Sequence, residues 1–360
     1  MKTLLPLVKS YVKNSTAIIA DLKDLQLLPE ARIFSADANS MYTNIDTPTG
    51  LASIREFIAD NAALIPPDFP MQLFLSILQT VMENNIFSFS DTYWLQLSGT
   101  AMGTPAACAY ATVSYGQHEN KNVLTNFSHC FLYYKRYIDD ILGIWVPPQV
   151  NPTETWMQFK NALNNWGKLE WVIEEPSKQT TFLDLNIKLQ GSSIITSTYQ
   201  KSMNLYLYIP PLSAHPPSCF KGLITGELKR YWSQNNAEDF QEILAKFIKR
   251  LHDRGHSLDN LVPLLQQAAA MFDSPTPRPT LQAQNSTLYI HWQFHPKGIQ
   301  RQHLRKLYDE HLKPHLDFDG MTVAISRPKN LRDILSSAKL RAPEDLKIQE
   351  VIDSLKTTNT

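Results

Sequence analysis

Tyr134-Lys-Arg-Tyr-Ile-Asp-Asp-Ile-Leu-Gly-Ile-Trp145 places two adjacent carboxylates, Asp139 and Asp140, among aromatic and β-branched residues. Tyr133-Tyr134 and Tyr137-Ile138 lead in, and Ile141 to Val146 lead out. Such β-rich runs around turn residues predict two buried strands joined by a tight hairpin turn. Side-by-side carboxylates at a turn tip repel unless a cation neutralises them. Asp is also among the commonest turn residues, so an isolated pair reads first as an ordinary exposed turn. The remainder of the chain overturns that reading.

The length of 360 residues allows one large domain or two to three smaller ones. With 43% hydrophobic and 19% charged residues the composition is globular. The formal net charge of +0 carries no global polycation signature. The halves differ: residues 1–200 hold 13 Lys and Arg against 18 Asp and Glu, net −5, while residues 201–360 hold 21 against 16, net +5. An acidic half beside a basic half fits metal-binding carboxylates next to a polyanion grip, and a split of this size also arises by chance. Cys108, Cys130 and Cys219 stand far apart, which argues against a disulfide framework or a zinc knuckle and points to a reducing compartment. No apolar run reaches the roughly 18 residues of a membrane span, and the N-terminus lacks a signal-peptide core. An intracellular, soluble protein is expected.

Residues 1–29 set Leu4, Leu5, Val8, Tyr11 and Val12, then Ile18, Ile19, Leu22 and Leu25, at roughly helical spacing, predicting two short helices. Ile33 and Phe34 predict a strand that enters the core and ends near Asp37. An acid there is either a helix N-cap or a metal ligand aimed from a rigid sheet. Residues 48–64 and 70–85 read as amphipathic helices, and residues 87–97 alternate like a hairpin. Gly99 and Gly103 let a ligand or another backbone approach closely. Thr104-Pro105 then predicts an N-cap and first helical residue for a small-residue helix, Ala106 to Tyr115. A loop handing over to a helix N-terminus suits phosphate contact.

Phe34-x-x-Asp37 with Tyr42-Thr-Asn-Ile45, then Gly99-Thr-Ala-Met-Gly-Thr-Pro105, then Arg136-Tyr-Ile-Asp-Asp140 stand in the order of reverse-transcriptase motifs A, B and C. The Tyr-Thr-Asn-Ile wording resembles the Penelope-like retroelement branch, relatives of telomerase. Thr181-Phe-Leu-Asp-Leu-Asn-Ile187 is similar to that group's motif D region. Asn204 to Tyr208, Ser213-Ala-His-Pro216 and Lys221 to Arg230 resemble motif E and the start of the thumb, and Arg327-Pro-Lys-Asn-Leu-Arg-Asp333 its closing segment. The likeness spans residues 4–340 and rests on six motifs in register.

The resemblance implies an α+β polymerase palm, an antiparallel sheet with helices on one face, followed by an α-helical thumb. It implies RNA-directed DNA synthesis with two Mg2+ ions, or Mn2+ in their place, about 4 Å apart. Asp37 and Asp139 then bridge the ions, the Ala38 carbonyl is a supplementary ligand, and Asp140 completes the acidic cluster. Tyr42 blocks a 2′-hydroxyl and so selects deoxynucleoside triphosphates; a packed core tyrosine is the other reading. Gln96 and Gly103 fit the surface under the incoming base and template. Lys135 and Arg136 either touch phosphate or are solvated strand-edge charges. Lys221, Lys229 and Arg230, with Lys246, Lys249, Arg250 and Arg254, suit the backbone of an RNA template and DNA primer, although half of such a set is ordinarily a solvated face.

Residues 153–166 read as a helix, and 169–173, 181–189 and 193–199 as strands, with Asp184 inside a strand and structural. Residues 216–272 read as three helices, and His215 and His256 as structural. Asp273 to Thr280 is a proline-rich linker. Beyond it, Leu288 to Trp292 reads as a strand, Gly298 to His311 as a basic helix and Asp333 to Lys339 as a short helix, with Arg327 and Lys329 as nucleic-acid contacts. A docking surface for a partner domain would look the same. The expected division is a helical lead-in (1–30), palm with motifs A–D (31–200), motif E and thumb (201–272), linker (273–286), basic thumb extension (287–340) and tail (341–360).

The chain departs from the family in two ways. The 36 residues ahead of Asp37 carry no basic fingers segment, and no GIY-YIG endonuclease follows Asp333. Cys108 also stands where relatives commonly carry proline, a change expected to matter little. A palm and thumb portion is expected, with fingers or endonuclease supplied in cis or trans, and a nuclear location. A catalytically inactive retroelement fragment, at most a nucleic-acid-binding module, is the alternative.

Overall fold

A computed structural model describes residues 3–270, 287–293, 298–315 and 320–326. They fall into two units that meet in sequence between Gln200 and Lys201. The first unit runs α1 (Ser15–Lys23), β1 (Arg32–Ala38), α2 (Met41–Asn44), α3 (Thr47–Asp60), α4 (Met71–Glu83), β2 (Ile86–Phe89), β3 (Thr92–Leu95), α5 (Ala107–His118) and α6 (Leu124–Phe127). It continues with β4 (Phe131–Tyr137), β5 (Asp140–Trp145), α7 (Pro152–Asn164), β6 (Trp171–Ile173), β7 (Gln179–Phe182), β8 (Leu185–Gln190) and β9 (Ser193–Thr198).

The central sheet has the order β4-β5-β1-β6, every pair antiparallel. Strand alternation sorts β1 into two sides. Phe34, Ala36 and Ala38 join Ile141 and Trp145 in the core under α3, α4, α5 and α7. There the Phe34 ring meets Trp156 at 5.1 Å and Phe159 at 5.4 Å, both edge-on, the favoured aromatic geometry. Ile33, Leu142 and Ile144 face the other way, into a second core with Ile18 and Leu22 of α1 and Phe182, Leu185 and Ile187 of the β7-β8-β9 sheet. Helices therefore do lie on one face of the central sheet, while a second small sheet and α1 cover the other.

Gly143 permits the tight fit of β5 on Phe34. A Cβ at this position would stand 2.2 Å from the Phe34 ring.

The second unit opens with α8 (Pro217–Gln234), α9 (Ala237–Asp253) and α10 (Leu258–Ala270). Ile224, Leu228, Tyr231, Ile243, Phe247, Leu251 and Leu261 form their shared core. His256 stacks on Phe220 with ring centroids 4.1 Å apart and bonds to the Ile209 carbonyl at 2.8 Å. β10 (Thr287–Gln293), α11 (Arg301–Leu307) and β11 (Gly320–Ser326) follow, with β10 and β11 parallel.

Three expectations need correction, and one strand went unread. Residues 181–189 are not one strand: Leu183 and Asp184 form a two-residue turn between β7 and β8, with Leu183 at φ 54° and Phe182 paired to Leu185. Alternation runs through both strands, so periodicity hides the turn and Asp184 sits in it. The helix after the glycine loop starts at Ala107 with Ala106 as an uncapped N-cap, while Thr104 Oγ1 bonds to Asn85 Oδ1 at 3.2 Å instead. Within residues 3–29 only α1 is an α-helix; Leu5–Leu7 make a single 3-10 turn. The parallel partner β11 was not legible in the sequence. Arg327, Lys329, the linker 273–286, the helix 333–339 and the tail 341–360 lie outside the described residues.

Gly143→Ala is expected to destabilise the first unit by about 1–3 kcal/mol, since the Phe34 ring must leave its rotamer. Urea denaturation of the two proteins measures it, and equal midpoints would mean that the ring yields freely.

Candidate active site

The register of β1 against β5 sets Asp37 directly opposite Asp140. Opposed residues of an antiparallel pair lie about 4.5–5.5 Å apart at Cα and project to one face. Here that face is the one away from α3, α4, α5 and α7, and like charges opposed there repel. Asp37 is exposed at the end of its strand. The Ala38 amide donates to the Asp139 carbonyl at 2.8 Å, tying the end of β1 to the turn.

That turn has two residues, Ile138 and Asp139, because Tyr137 pairs with Asp140. Ile138 has φ 55° while Asp139 does not share the left-handed region, the φ pattern of a type II′ turn. Glycine is the preferred residue at that first position, and a β-branched side chain there is an outlier. Asp139 is half-buried, and its carboxyl is held above the usual aspartate range. Burial is the main cause and the Asp37 charge adds to it, against a hydrogen bond from its own backbone amide and the positive Arg136.

Tyr42 stands on α2, and its hydroxyl donates to Cys108 Sγ at 3.2 Å. Burial pushes the phenol above its ordinary value, helped by Cys108, then Asp139 and Tyr137. Tyr42, Cys108 and Asp139 therefore share one neighbourhood. The Thr100 amide donates to the Tyr42 carbonyl at 2.5 Å. Gly99, at φ 78°, lies so close that a Cβ would stand 2.7 Å from that carbonyl. Gly103, at φ 105°, has nothing within 4 Å of a Cβ. Of the two glycines, the first admits another backbone and the second faces open space. Gln96 is half-buried and bonds to the Ser98 carbonyl at 2.9 Å within its own loop.

One of the expected nucleic-acid contacts is corrected. Arg136 is neither a strand-edge charge nor a phosphate ligand: it is 0% exposed and ion-paired at 2.8 Å with Glu119, itself 0% exposed. Period-2 alternation put it on the helix side, where only a buried acid can hold it. Arg230 is half-buried, paired with Glu227 at 2.6 Å and set 5.2 Å from the Tyr231 ring. Lys135 donates to the Lys9 carbonyl at 3.0 Å. In the second unit Lys246 pairs with Glu242, Lys249 with Asp253, and Arg254 donates to the Tyr208 carbonyl, whereas Lys221 and Lys229 are exposed. Sequence reading missed Glu119 and the contact made by Cys108. A lone acid following a small-residue helix was the available signal for Glu119; for Cys108 there was none.

Among the described residues, no three His, Cys, Asp or Glu side chains gather closely enough to hold a metal ion. No helix among them is long and apolar enough to cross a membrane.

An antiparallel sheet backed by helices, with carboxylates at adjacent strand ends and a helical unit following in the chain, is the fold of a nucleic-acid polymerase palm and thumb. Among solved structures, the chain is similar to the telomerase of Candida albicans in complex with a fragment of telomeric RNA: TM-score 0.51, 12% identity, 75% of this chain and 50% of that one. It also matches the RNA-dependent RNA polymerase of a human picobirnavirus, with TM-score 0.46, 13% identity and coverage of 74% and 51%. Apo telomerase from Candida tropicalis gives TM-score 0.45, 11% identity and coverage of 74% and 49%. The chain thus spans about half the length of the polymerases it matches. No protein-family model and no curated protein matches the sequence.

The raised Asp139 carboxyl has a consequence for stability. The folded state binds this proton more tightly than the unfolded chain, so stability falls as pH rises from the ordinary aspartate value, about 3.9, through the raised one. Asp139→Asn removes the penalty. In metal-free buffer its melting temperature is expected to exceed wild type at pH 7 and to lose that advantage at pH 3; a lower melting temperature at pH 7 would contradict the assignment.

Proposed function

We propose that the chain is an RNA-directed DNA polymerase, or the palm and thumb portion of one, joining a primer 3′-hydroxyl to the α-phosphate of a deoxynucleoside triphosphate. The observation that carries this reading is the Asp139 turn, tied to the end of β1 beside the Asp37–Asp140 pair on a polymerase fold. The Tyr42-Thr-Asn-Ile45 wording supports the Penelope-like branch. The RNA bound by the Candida albicans enzyme supports an RNA partner.

Asp37, Asp139 and the Ala38 carbonyl would hold two Mg2+ ions, or Mn2+, with Asp140 completing the charge. This all-oxygen donor set fits a hard cation that keeps water and substrate phosphates in its shell and so needs only one or two carboxylates. When bound, such ions make the attacking hydroxyl more acidic and neutralise the pyrophosphate leaving group.

The chain's own residues supply position and field. Asp139 is half-buried, so its charge acts through less water than a surface carboxylate's and is screened less. Tyr42, held by Cys108 beside Asp139, is placed to exclude a 2′-hydroxyl. Gly103 leaves room for the templating pair. Lys221 and Lys229 on α8 offer point charges to template and primer phosphates. Fingers and endonuclease functions would come from segments in cis or from partners.

Primer extension on an RNA template with deoxynucleotides and Mg2+ or Mn2+ tests the reading. Wild-type extension is expected to fall by at least about a thousandfold, ~4 kcal/mol, in Asp139→Ala, since no other group replaces the lost charge. Folded wild-type protein that extends nothing, alone or joined to a related fingers segment, would favour an inactive retroelement fragment.

Tyr42→Ala should raise ribonucleotide use relative to deoxynucleotide use about tenfold, ~1.4 kcal/mol. An unchanged ratio would return Tyr42 to a packing role.

A further inference from the structure

Arg136 and Glu119 are both 0% exposed, on β4 and at the end of α5 respectively. The guanidinium joins α5 to the turn before Asp139 through three hydrogen bonds. Nη2 donates to Glu119 Oε2 and to the Thr112 carbonyl, both at 2.8 Å, while Nη1 donates to the Ile138 carbonyl at 2.6 Å. Its carbon lies 5.1 Å from the centre of the Tyr115 ring. Glu119 in turn accepts from Tyr134 at 2.9 Å and from Ser10 at 2.6 Å. The Arg136 amide also donates to the Ser10 carbonyl at 2.6 Å.

A buried ion pair is weak evidence for stability, because apolar replacements of similar volume are often as good or better. The Arg136 Nε makes no hydrogen bond, so this pair is not even fully satisfied. What it does achieve is geometric. Ile138 holds a left-handed backbone that a β-branched residue adopts only where its surroundings over-determine it. The Arg136 fork grips the carbonyl of that residue, immediately before Asp139.

We propose that Arg136 and Glu119 are positioning residues that clamp the Asp139 turn to α5 and to the segment around Ser10, setting where the Asp139 carboxylate stands. This rests on reading Asp139 as a polymerase acid. Arg136 touches no reacting atom; it acts through the Ile138 carbonyl. Lysine at this position keeps the charge opposite Glu119 but has no planar fork to reach Ile138 as well.

Arg136→Lys is compared with wild type and with Phe57→Leu, a core substitution in α3 outside the hydrogen bonds of the clamp. Amide hydrogen exchange of residues 138–141 is expected to quicken about tenfold in Arg136→Lys and to be unchanged in Phe57→Leu. Primer extension by Arg136→Lys is expected to lose at least about tenfold in kcat, with KM for the nucleotide within about twofold. Should Arg136→Lys not fold, Arg136→Met with Glu119→Leu, which buries no charge, takes its place with the same expectations. A turn as protected as wild type, or a loosened turn with kcat intact, overturns the proposal. Absence of extension in wild type counts against the polymerase reading alone, and the exchange measurement still decides the clamp.

Discussion

Two like charges set opposite each other at the end of an antiparallel ladder are the constraint around which the first unit is built. Asp37 faces Asp140 in register, and Asp139 follows a residue in a left-handed conformation. Neither feature favours folding on its own, since opposed carboxylates repel and a left-handed isoleucine is strained. Both persist because β1 and β5 are locked beneath them by the Phe34, Trp145, Trp156 and Phe159 cluster. The apolar core thus offsets the cost of the acidic end.

The same arrangement explains why the helical layer carries polar groups at all. α5 is buried along nearly its whole length, yet it ends at Glu119, whose charge is matched by the ion pair with Arg136. Ser10 and Tyr134 also donate to the carboxylate, and Thr112 and Ile138 each accept one further guanidinium hydrogen, while Nε makes no hydrogen bond. Near its start, α5 also presents Cys108 to Tyr42. One helix therefore touches both the tyrosine beside the acids and the arginine behind them.

Much of this was open to reading along the chain. The Asp-Asp hairpin, the strand ending near Asp37, the helices at α3, α4 and α7, and the three helices of the second unit all follow from alternation or helical spacing, which are local. Local signals failed where two elements share one pattern. The turn at Leu183-Asp184 interrupts an alternation that continues unbroken on either side, and the parallel pairing of β10 with β11 joins segments about thirty residues apart, which periodicity does not register.

The sequence by itself determined the chemistry available: which residues are acids, their order, and the strand and turn that carry them, because these depend on neighbours a few positions away. Only the tertiary structure decided what each charge is for. Arg136 looked like a surface cation beside the acids, and packing placed it in the core against Glu119, 17 residues away. Gly99 and Gly103 looked alike, both have positive φ, and only the approach of the Tyr42 backbone separates the one hemmed in by another backbone from the one that faces open space. Burial and partner are properties of the whole fold, and they set the energy of a charge more strongly than its identity does.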